Sequence, residues 1–145
     1  MKITEEPIIV EQFFHKPIAE VWSALTELQQ MRQWFFENIP DFRPEVGFSN
    51  RFIVNNEGRV FPHLWRIVEI DPLKKITYNW KYEGYAGDSR VTFDLFGKTG
   101  GTKLRVTHKT MTDFPANIPE FTRESCLGGW QYFINQRLKE YLEKS

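Results

Sequence analysis

The most constraining feature of the sequence is a long stretch, Asp41 to Lys109, in which apolar and polar residues alternate. Alternation with a period of two is typical of strands, because successive side chains of a strand point to opposite faces. Short sequences rich in Gly, Pro, Asn and Asp interrupt the alternation and mark turns. These turns are Asn55-Asn56-Glu57-Gly58, Asp71-Pro72, Glu83-Gly84 and Gly97 to Gly101. The stretch is therefore predicted to be a meander of antiparallel strands.

The alternation also predicts which face of the sheet each side chain occupies. The residues expected to face inward are Phe48, Phe52 and Val54, then Ile76, Tyr78 and Trp80, then Val91, Phe93 and Leu95, and finally Leu104, Val106 and His108. Their neighbours on the other face are Arg51, Thr77, Asn79, Lys81, Arg90, Thr92, Asp94, Lys103, Arg105 and Thr107. One apolar and one polar face are expected for an antiparallel sheet that is covered on one side only.

The end of the chain supplies this cover as a long amphipathic helix. Its apolar residues recur at helical spacing and are Leu127, Trp130, Ile134, Leu138 and Tyr141. Its polar side carries Gln131, Asn135, Lys139 and Glu143. Gly128 and Gly129 lie inside this helix, where each glycine costs about 1 kcal/mol relative to alanine. A close approach to the sheet, or open space beside it, would offset that cost.

Before the meander, the sequence predicts one strand and two short helices. Pro7 to Phe14 is rich in β-branched and aromatic residues, which favours a strand. The first helix is predicted from the i, i+3, i+4, i+7 spacing of Ile18, Val21, Trp22 and Leu25. The second is predicted to begin at Thr26-Glu27-Leu28-Gln29, which matches a capping box. Its buried side is expected to consist of Leu28, Met31, Trp34 and Phe35.

Size and charge exclude several classes of partner. The chain has 145 residues, the size of one ordinary domain, and its 19 Lys plus Arg balance its 19 Asp plus Glu. No overall field attracts it to nucleic acid or to a membrane surface, so neither is an expected partner. Its one cysteine, Cys126, cannot form an internal disulfide, and no apolar run has the length of a signal peptide or membrane span. We expect a single domain over residues 1–145, located in the cytoplasm.

Several pieces of the sequence, in the right order, resemble one protein family. They are Pro17-Ile18-Ala19-Glu20-Val21-Trp22-Ser23-Ala24-Leu25-Thr26, Val68-Glu69-Ile70-Asp71-Pro72, Ile76-Thr77-Tyr78-Asn79-Trp80, Gly101-Thr102-Lys103-Leu104 with Thr107-His108, and Gly129-Trp130. Together they resemble the activators of heat-shock protein 90 ATPase homologues, in the START-like (SRPBCC) superfamily. The resemblance implies an α+β helix-grip fold of the START-like and Bet v 1-like kind. In this fold a curved antiparallel sheet of about six to seven strands surrounds a long C-terminal helix.

The resemblance also has consequences for partners and for two residues of the third predicted strand. It implies a chaperone or another protein as a partner, in a stress-response role. The family usually has a glycine where this chain has Trp65, so a bulky ring enters a place that is normally open. Pro62 lacks the N–H of a strand residue, and it is predicted to lie on an edge strand or at a bulge.

The sequence contains no constellation that specifies an enzyme. His15, His63 and His108 lie in different elements without the paired spacing of a metal site, and no nucleophile, phosphate or dinucleotide motif is present. No catalytic residue, metal or cofactor is therefore predicted. His108 has two interpretations: a group that bonds to a ligand or acts as a base, and a buried imidazole bonded to a backbone or hydroxyl group. Glu69 is either an inward carboxylate or a solvated strand charge.

Aromatic residues make up 16% of the sequence, which is more ring surface than a small core usually needs. One interpretation is a purely structural core, and the other is a cleft between helix and sheet that binds an apolar or aromatic ligand. The predicted ligand-binding residues are Trp34, Phe48, Phe52, Trp65, Tyr78, Trp80, Phe93, His108, Trp130, Phe133 and Ile134. The leading hypothesis is a carrier or sensor of a lipid, polyketide or flavonoid-like molecule. Two alternatives stay open: a co-chaperone that needs no cavity, and a cyclase or aromatase with His108 as base.

Overall fold

Six antiparallel strands form one curved sheet in the computed structural model, which describes residues 1–144. The strands are Ile8–Phe14 (β1), Ser49–Asn56 (β2), Arg59–Asp71 (β3), Lys75–Tyr82 (β4), Asp88–Lys98 (β5) and Gly101–Thr112 (β6). Their order across the sheet is β1-β6-β5-β4-β3-β2. The first strand therefore lies beside the last, with Ile8 opposite His108 and Phe14 opposite Thr102.

The helices lie between β1 and β2 and after β6. They are Ile18–Thr26 (α1), Leu28–Trp34 (α2), a 3₁₀ turn at Pro119–Phe121 and a terminal helix over residues 123–144. The terminal helix covers the apolar face of the sheet, and the core lies between them. The predicted α+β helix-grip fold is confirmed. Within residues 1–144, none of the helices has the length and apolar character that crossing a membrane requires.

The meander begins and ends later than the sequence predicts. It starts at Ser49 and ends at Thr112, and it contains the strands β2 to β6. Residues 41–48 are irregular chain with a turn. The prolines before and within this segment lack the N–H that a strand donates. Hydrogen bonds tie its two ends to the sheet: Asn50 Nδ2 donates to Asp41 O at 2.6 Å, and Ile67 N donates to Phe48 O at 3.0 Å.

The predicted inward faces of β4, β5 and β6 are confirmed. At most 5% of each of these side chains is exposed: Ile76, Tyr78, Trp80, Val91, Phe93, Leu95, Leu104, Val106 and His108. In the β2 region Phe52 is buried, and Phe48 and Val54 are half-buried. Thr77 differs from the prediction for the polar face, because it is buried. Its hydroxyl lies 3.1 Å from that of Thr92 on the neighbouring strand, so the two polar groups satisfy each other.

The prediction of a bulge at Pro62 is wrong, whereas the predicted edge position holds locally. β3 is an interior strand between β2 and β4, and its bulge follows Ile67 instead. The proline is tolerated because the pairing of β3 with β4 ends at the adjacent pair, His63 and Tyr82. Beyond that pair, the Pro62 carbonyl accepts from Glu83 N at 3.0 Å, and no N–H is required on this side of the strand.

The predicted capping box at Thr26 is also wrong. Thr26 is the last residue of α1, and its hydroxyl donates to Trp22 O at 2.8 Å. Glu27 is the N-cap of α2 and makes no side-chain capping bond. A threonine hydroxyl often bonds to the carbonyl four residues earlier, and here this local bond replaces the cap. On the predicted buried side of α2, Met31, Trp34 and Phe35 are buried and Leu28 is half-buried.

The terminal helix changes its winding along its length. Arg123–Trp130 and Lys139–Lys144 are α-helical, whereas Gln131–Leu138 is π-helical and has wider turns. Its buried residues are therefore spaced by four and are Trp130, Ile134, Leu138 and Leu142. Ordinary α-helical spacing predicts Tyr141 in the buried stripe, but Tyr141 is only half-buried, as is Leu127. The wider turns move the end of the stripe by one residue.

The two glycines of the terminal helix make no close approach to the sheet. A Cβ atom added at Gly128 or at Gly129 would have no atom within 4 Å. Of the two expectations for these glycines, open space beside the helix is therefore the one that applies.

We expect Gly128→Ala to raise the free energy of unfolding by about 1 kcal/mol, because alanine removes the cost of glycine in a helix. Urea denaturation at pH 7 measures the change. Gly100→Ala is a control of opposite sign: space is equally open there, but the φ angle of +82° strains any residue with a Cβ. If both substitutions raised the free energy of unfolding, helix propensity would not explain the effect of Gly128→Ala.

Candidate functional site

A cavity of about 150 Å³ lies between the terminal helix and the end of the sheet formed by β3 and β4. Its lining residues are Phe36, His63, Trp80, Tyr82, His108, Glu120, Ser125, Cys126, Gly129, Trp130 and Phe133. An apolar cavity of about 150 Å³ accommodates one benzene ring, whereas typical ligand pockets measure roughly 300–1,000 Å³. Larger depressions elsewhere, such as the one bordered by Glu37, Asn38 and Ile53, are walled largely by exposed side chains. The space between helix and sheet therefore fits a molecule with a single ring.

The predicted ligand-binding residues are divided between this cavity and the packed core. Those that line the cavity are Trp80, His108, Trp130 and Phe133. Those that lie elsewhere in or against the core are Trp34, Phe48, Phe52, Trp65, Tyr78, Phe93 and Ile134. Glu69, the other polar candidate, is exposed and lies 3.8 Å from Lys75, as a solvated strand charge does. A direct role of the core rings in ligand binding stays a prediction.

Both ring nitrogens of His108 are used inside the protein. Trp130 Nε1 donates to His108 Nδ1 at 3.0 Å, so Nδ1 carries no proton. Nε2 therefore donates to the Ser89 hydroxyl at 2.9 Å, and that hydroxyl donates to Trp80 O at 2.6 Å. Burial, helped by the positive N-terminus, lowers the pKa of His108 to about 4, so the ring is neutral at pH 7. The geometry matches the buried, hydroxyl-bonded imidazole, because a base needs the lone pair that Trp130 occupies.

His63 presents a ring nitrogen to the cavity that the protein leaves unused. The ring is 6% exposed, and its Nδ1 lies 2.9 Å from Phe61 O. A carbonyl only accepts, so Nδ1 carries the proton and Nε2 has a free lone pair. Burial lowers the pKa of His63 to about 4, which keeps the ring neutral at pH 7.

Two further polar side chains of the cavity are held in their neutral forms. The Tyr82 hydroxyl accepts from Trp80 Nε1 at 3.0 Å, and burial raises the pKa of this tyrosine. The Cys126 thiol lies 3.9 Å from Glu120 O, and burial raises its pKa to about 12. Because the nucleophilic form of cysteine is the thiolate, Cys126 is not poised for nucleophilic chemistry.

Glu120 lies at the rim of the cavity and is already paired. Arg59 Nε lies 2.9 Å from Glu120 Oε1, and Arg59 Nη2 lies 2.7 Å from Oε2. Asn56 Nδ2 donates to Oε2 at 2.8 Å. The bond to Arg59 lowers the pKa of Glu120, so the carboxylate stays charged. These bonds fasten the β2–β3 hairpin to the 3₁₀ turn beside the cavity.

One protein family matches nearly the whole sequence. The match covers residues 15–143, and the family is described as Activator of Hsp90 ATPase homolog 1-like protein. The chain belongs to this family. No curated protein matches the sequence.

Solved structures share the fold of this Activator of Hsp90 ATPase homolog 1-like chain. DynU16, from the dynemicin biosynthetic locus, has a TM-score of 0.75 at 24% identity, over 96% of this chain and 48% of DynU16. This chain thus spans about half the length of DynU16. MLL2253 from Mesorhizobium loti has a TM-score of 0.76 at 25% identity, over 97% of this chain and 98% of MLL2253. Aha1 from Colwellia psychrerythraea, solved in solution as a dimer, has a TM-score of 0.73 at 19% identity, over 96% and 97%.

Trp65 reduces the open space inside this family member. Its ring centroid lies 4.7 Å from that of Phe52, 4.9 Å from Trp80 and 5.4 Å from Phe35. The bulky side chain thus fills the middle of the space between sheet and helix, and the cavity is confined to one end. Trp65 Nε1 is the one buried side-chain polar atom within residues 1–144 that has no hydrogen-bond partner.

Several lining residues of this Activator of Hsp90 ATPase homolog 1-like chain are absent from the prediction. They are Phe36, His63, Tyr82, Glu120, Ser125, Cys126 and Gly129. Tyr82 continues the alternation of Tyr78 and Trp80 along β4, and His63 shares a face with Trp65 on β3. The strand alternation therefore predicts an inward side chain at both positions. Phe36 and Glu120 lie outside strands and long helices, where no periodic pattern predicts the direction of a side chain.

Proposed function

We propose that this protein binds a small aromatic molecule in the cavity between the sheet and the terminal helix. The observation that carries the proposal is a cavity of about 150 Å³ with aromatic walls and a few polar atoms. Walls such as Trp80, Trp130 and Phe133 bury an apolar ring, and polar atoms fix its orientation. The description of DynU16, which places that relative in a biosynthetic locus, supports a small molecule as the ligand.

The size of the cavity narrows the range of ligands. Lipids, polyketides and flavonoid-like molecules have more atoms than a space of about one benzene ring holds. Such a ligand requires the terminal helix to move away from the sheet, or it inserts only one of its rings. The proposal therefore centres on one-ring molecules.

Titration of the full chain with a mixed library of lipids and planar aromatics tests the proposal. Tryptophan fluorescence and NMR shifts of amide and indole N–H groups report binding, and we expect saturable shifts at Trp80 and Trp130 with one-ring compounds. Gly129→Leu places a side chain where the helix lines the cavity, and it is expected to abolish the shifts. Gly128→Leu, the same change at a neighbouring residue that does not line the cavity, is the matched control. A folded protein that responds to no compound would overturn the proposal.

A second candidate function, a co-chaperone that acts through its surface, is favoured by family membership and by two exposed apolar side chains. Ile53 is 42% exposed and Val60 48% exposed, and both lie on the β2–β3 hairpin. If the chain is a co-chaperone, it is expected to stimulate ATP hydrolysis by a heat-shock protein 90 chaperone. The Gly129→Leu variant is expected to give the same stimulation, because this function does not use the cavity. An Ile53→Ser, Val60→Ser double variant is expected to lose the stimulation. No stimulation by the wild-type chain would exclude this candidate.

A further inference from the structure

Two polar atoms in the wall of the cavity are complementary to each other. His63 Nε2 is an acceptor with no donor within residues 1–144, since the single hydrogen bond of this ring uses Nδ1. The Tyr82 hydroxyl accepts from Trp80 Nε1 at 3.0 Å, and its own proton has no acceptor within the same described residues. The first atom lacks a donor, and the second lacks an acceptor.

The backbone places these two side chains next to each other. His63 and Tyr82 are cross-strand partners in the β3–β4 pairing, so both side chains leave the sheet on the same face. Their ring centroids are 4.8 Å apart, and the ring planes are perpendicular. A ligand hydroxyl both donates and accepts a hydrogen bond, so it has the donor that His63 lacks and the acceptor that Tyr82 lacks.

Charge in the cavity argues against an ionised ligand. The lining residues include no lysine or arginine that could pair with an anion. The one carboxylate, that of Glu120, accepts from Arg59 and Asn56, so its charge is already balanced by the Arg59 guanidinium. A neutral group is therefore the favoured partner of His63 Nε2 and the Tyr82 hydroxyl, since an unpaired charge is costly to bury.

We propose that the cavity selects a neutral one-ring phenol. Its hydroxyl donates to His63 Nε2 and accepts from the Tyr82 hydroxyl, and its ring lies against Trp80, Trp130 and Phe133. His108, the other cavity histidine, takes no part, because both of its nitrogens are bonded within the protein. This inference rests on the proposed function and adds the chemical class of the ligand.

Phenol and toluene form the decisive probe pair, because they have nearly the same size and differ in one hydroxyl group. We titrate the full chain at pH 7 with phenol, toluene and benzoate, and measure the dissociation constants by calorimetry and by indole N–H shifts. Phenol is expected to bind at least about tenfold more tightly than toluene, since toluene covers the His63 acceptor and the Tyr82 donor without bonding to either. Benzoate, which is charged, is expected to bind more weakly than phenol. A ¹⁵N shift of His63 Nε2 on addition of phenol, and not of toluene, is expected from the new hydrogen bond.

Two variants and a matched control test whether His63 and Tyr82 cause the preference for phenol over toluene. His63→Phe keeps a ring and removes the acceptor, so phenol is expected to lose its advantage while toluene still binds. Tyr82→Phe removes the donor, and it is also expected to weaken the binding of phenol relative to that of toluene. Tyr85→Phe is the control, because the Tyr85 hydroxyl donates to Val60 O and does not line the cavity. It is expected to leave the ratio of the two dissociation constants unchanged.

The outcomes separate this inference from the proposed function. Equal binding of phenol and toluene, or tightest binding of benzoate, would overturn the inference and leave the proposed function standing. The inference would also be overturned if His63→Phe left the ratio of the phenol and toluene dissociation constants unchanged. Binding of none of the probes to the folded protein would overturn both. If His63→Phe does not fold, the wild-type ratio and the His63 ¹⁵N shift decide.

Discussion

Trp130→Ala is expected to lower the free energy of unfolding by about 3–5 kcal/mol, the usual cost of removing a buried tryptophan ring. Trp130 is 5% exposed, and its ring centroid lies 5.5 Å from that of Trp80 and 5.8 Å from that of Phe93. The substitution also leaves His108 Nδ1 without its donor, which adds the cost of an unsatisfied buried acceptor. Urea denaturation at pH 7 measures the total loss.

Trp130→Phe separates the two contributions. Phenylalanine keeps most of the ring and removes the N–H group, so a loss of about 1–3 kcal/mol is expected. His108→Leu then removes the stranded acceptor, and we expect it to cost less in the Trp130→Phe background than in the wild type. Equal costs of His108→Leu in the two backgrounds would show that the Trp130–His108 bond does not contribute to stability.

Stability is expected to fall between pH 6.5 and pH 4, by about 3 kcal/mol for each of the two buried histidines. Burial lowers the pKa of His63 and of His108 from 6.5 to about 4. Below pH 6.5 the unfolded chain therefore binds protons that the folded protein does not, and acid favours unfolding. Above pH 6.5 both states hold the rings neutral, so these two groups cause no pH dependence there.

Urea denaturation at closely spaced pH values tests this expectation. His63→Phe removes one of the two titrating rings and is expected to reduce the pH dependence by roughly half. The pKa values of Glu11 and Glu120 are lowered by bonds from Arg105 and Arg59, so the stability that these carboxylates contribute is lost below pH 4.5 and overlaps the histidine window only at its acid end. Unchanged stability from pH 7 to pH 5 would mean that the folded protein protonates these histidines as readily as the unfolded chain does.

The sequence predicts the sheet well because strand geometry leaves little choice. Successive side chains of a strand alternate, so one inward residue such as Phe93 determines its neighbours. The errors occur where a local interaction competes with the pattern. The Thr26 hydroxyl bonds back into α1 and leaves α2 without a side-chain cap. The π-helical turns of Gln131–Leu138 bury Leu142 where α-helical spacing predicts Tyr141.

The cavity is harder to predict than the fold, because it is the space that remains after the large side chains have packed. Parity places Trp65 and Trp80 on the inward face, but it does not show that the Trp65 ring fills the middle of the interior. The sequence equally does not show that Trp130 satisfies His108 and that His63 keeps a free nitrogen. Those facts depend on how β3 and the terminal helix meet, which is a tertiary relation.

The pairing of β1 with β6 also has a consequence for the synthesis of this chain on the ribosome. β1 is made early, but its partner is made last of all the strands, with Ile8 opposite His108. Until then the apolar side of β1, including Val10 and Phe14, has neither its neighbouring strand nor the terminal helix to cover it. Contacts between residues so far apart in sequence slow folding, and exposed strand edges associate with other chains. The nascent chain therefore exposes the apolar side of β1 until β6 and the terminal helix have emerged.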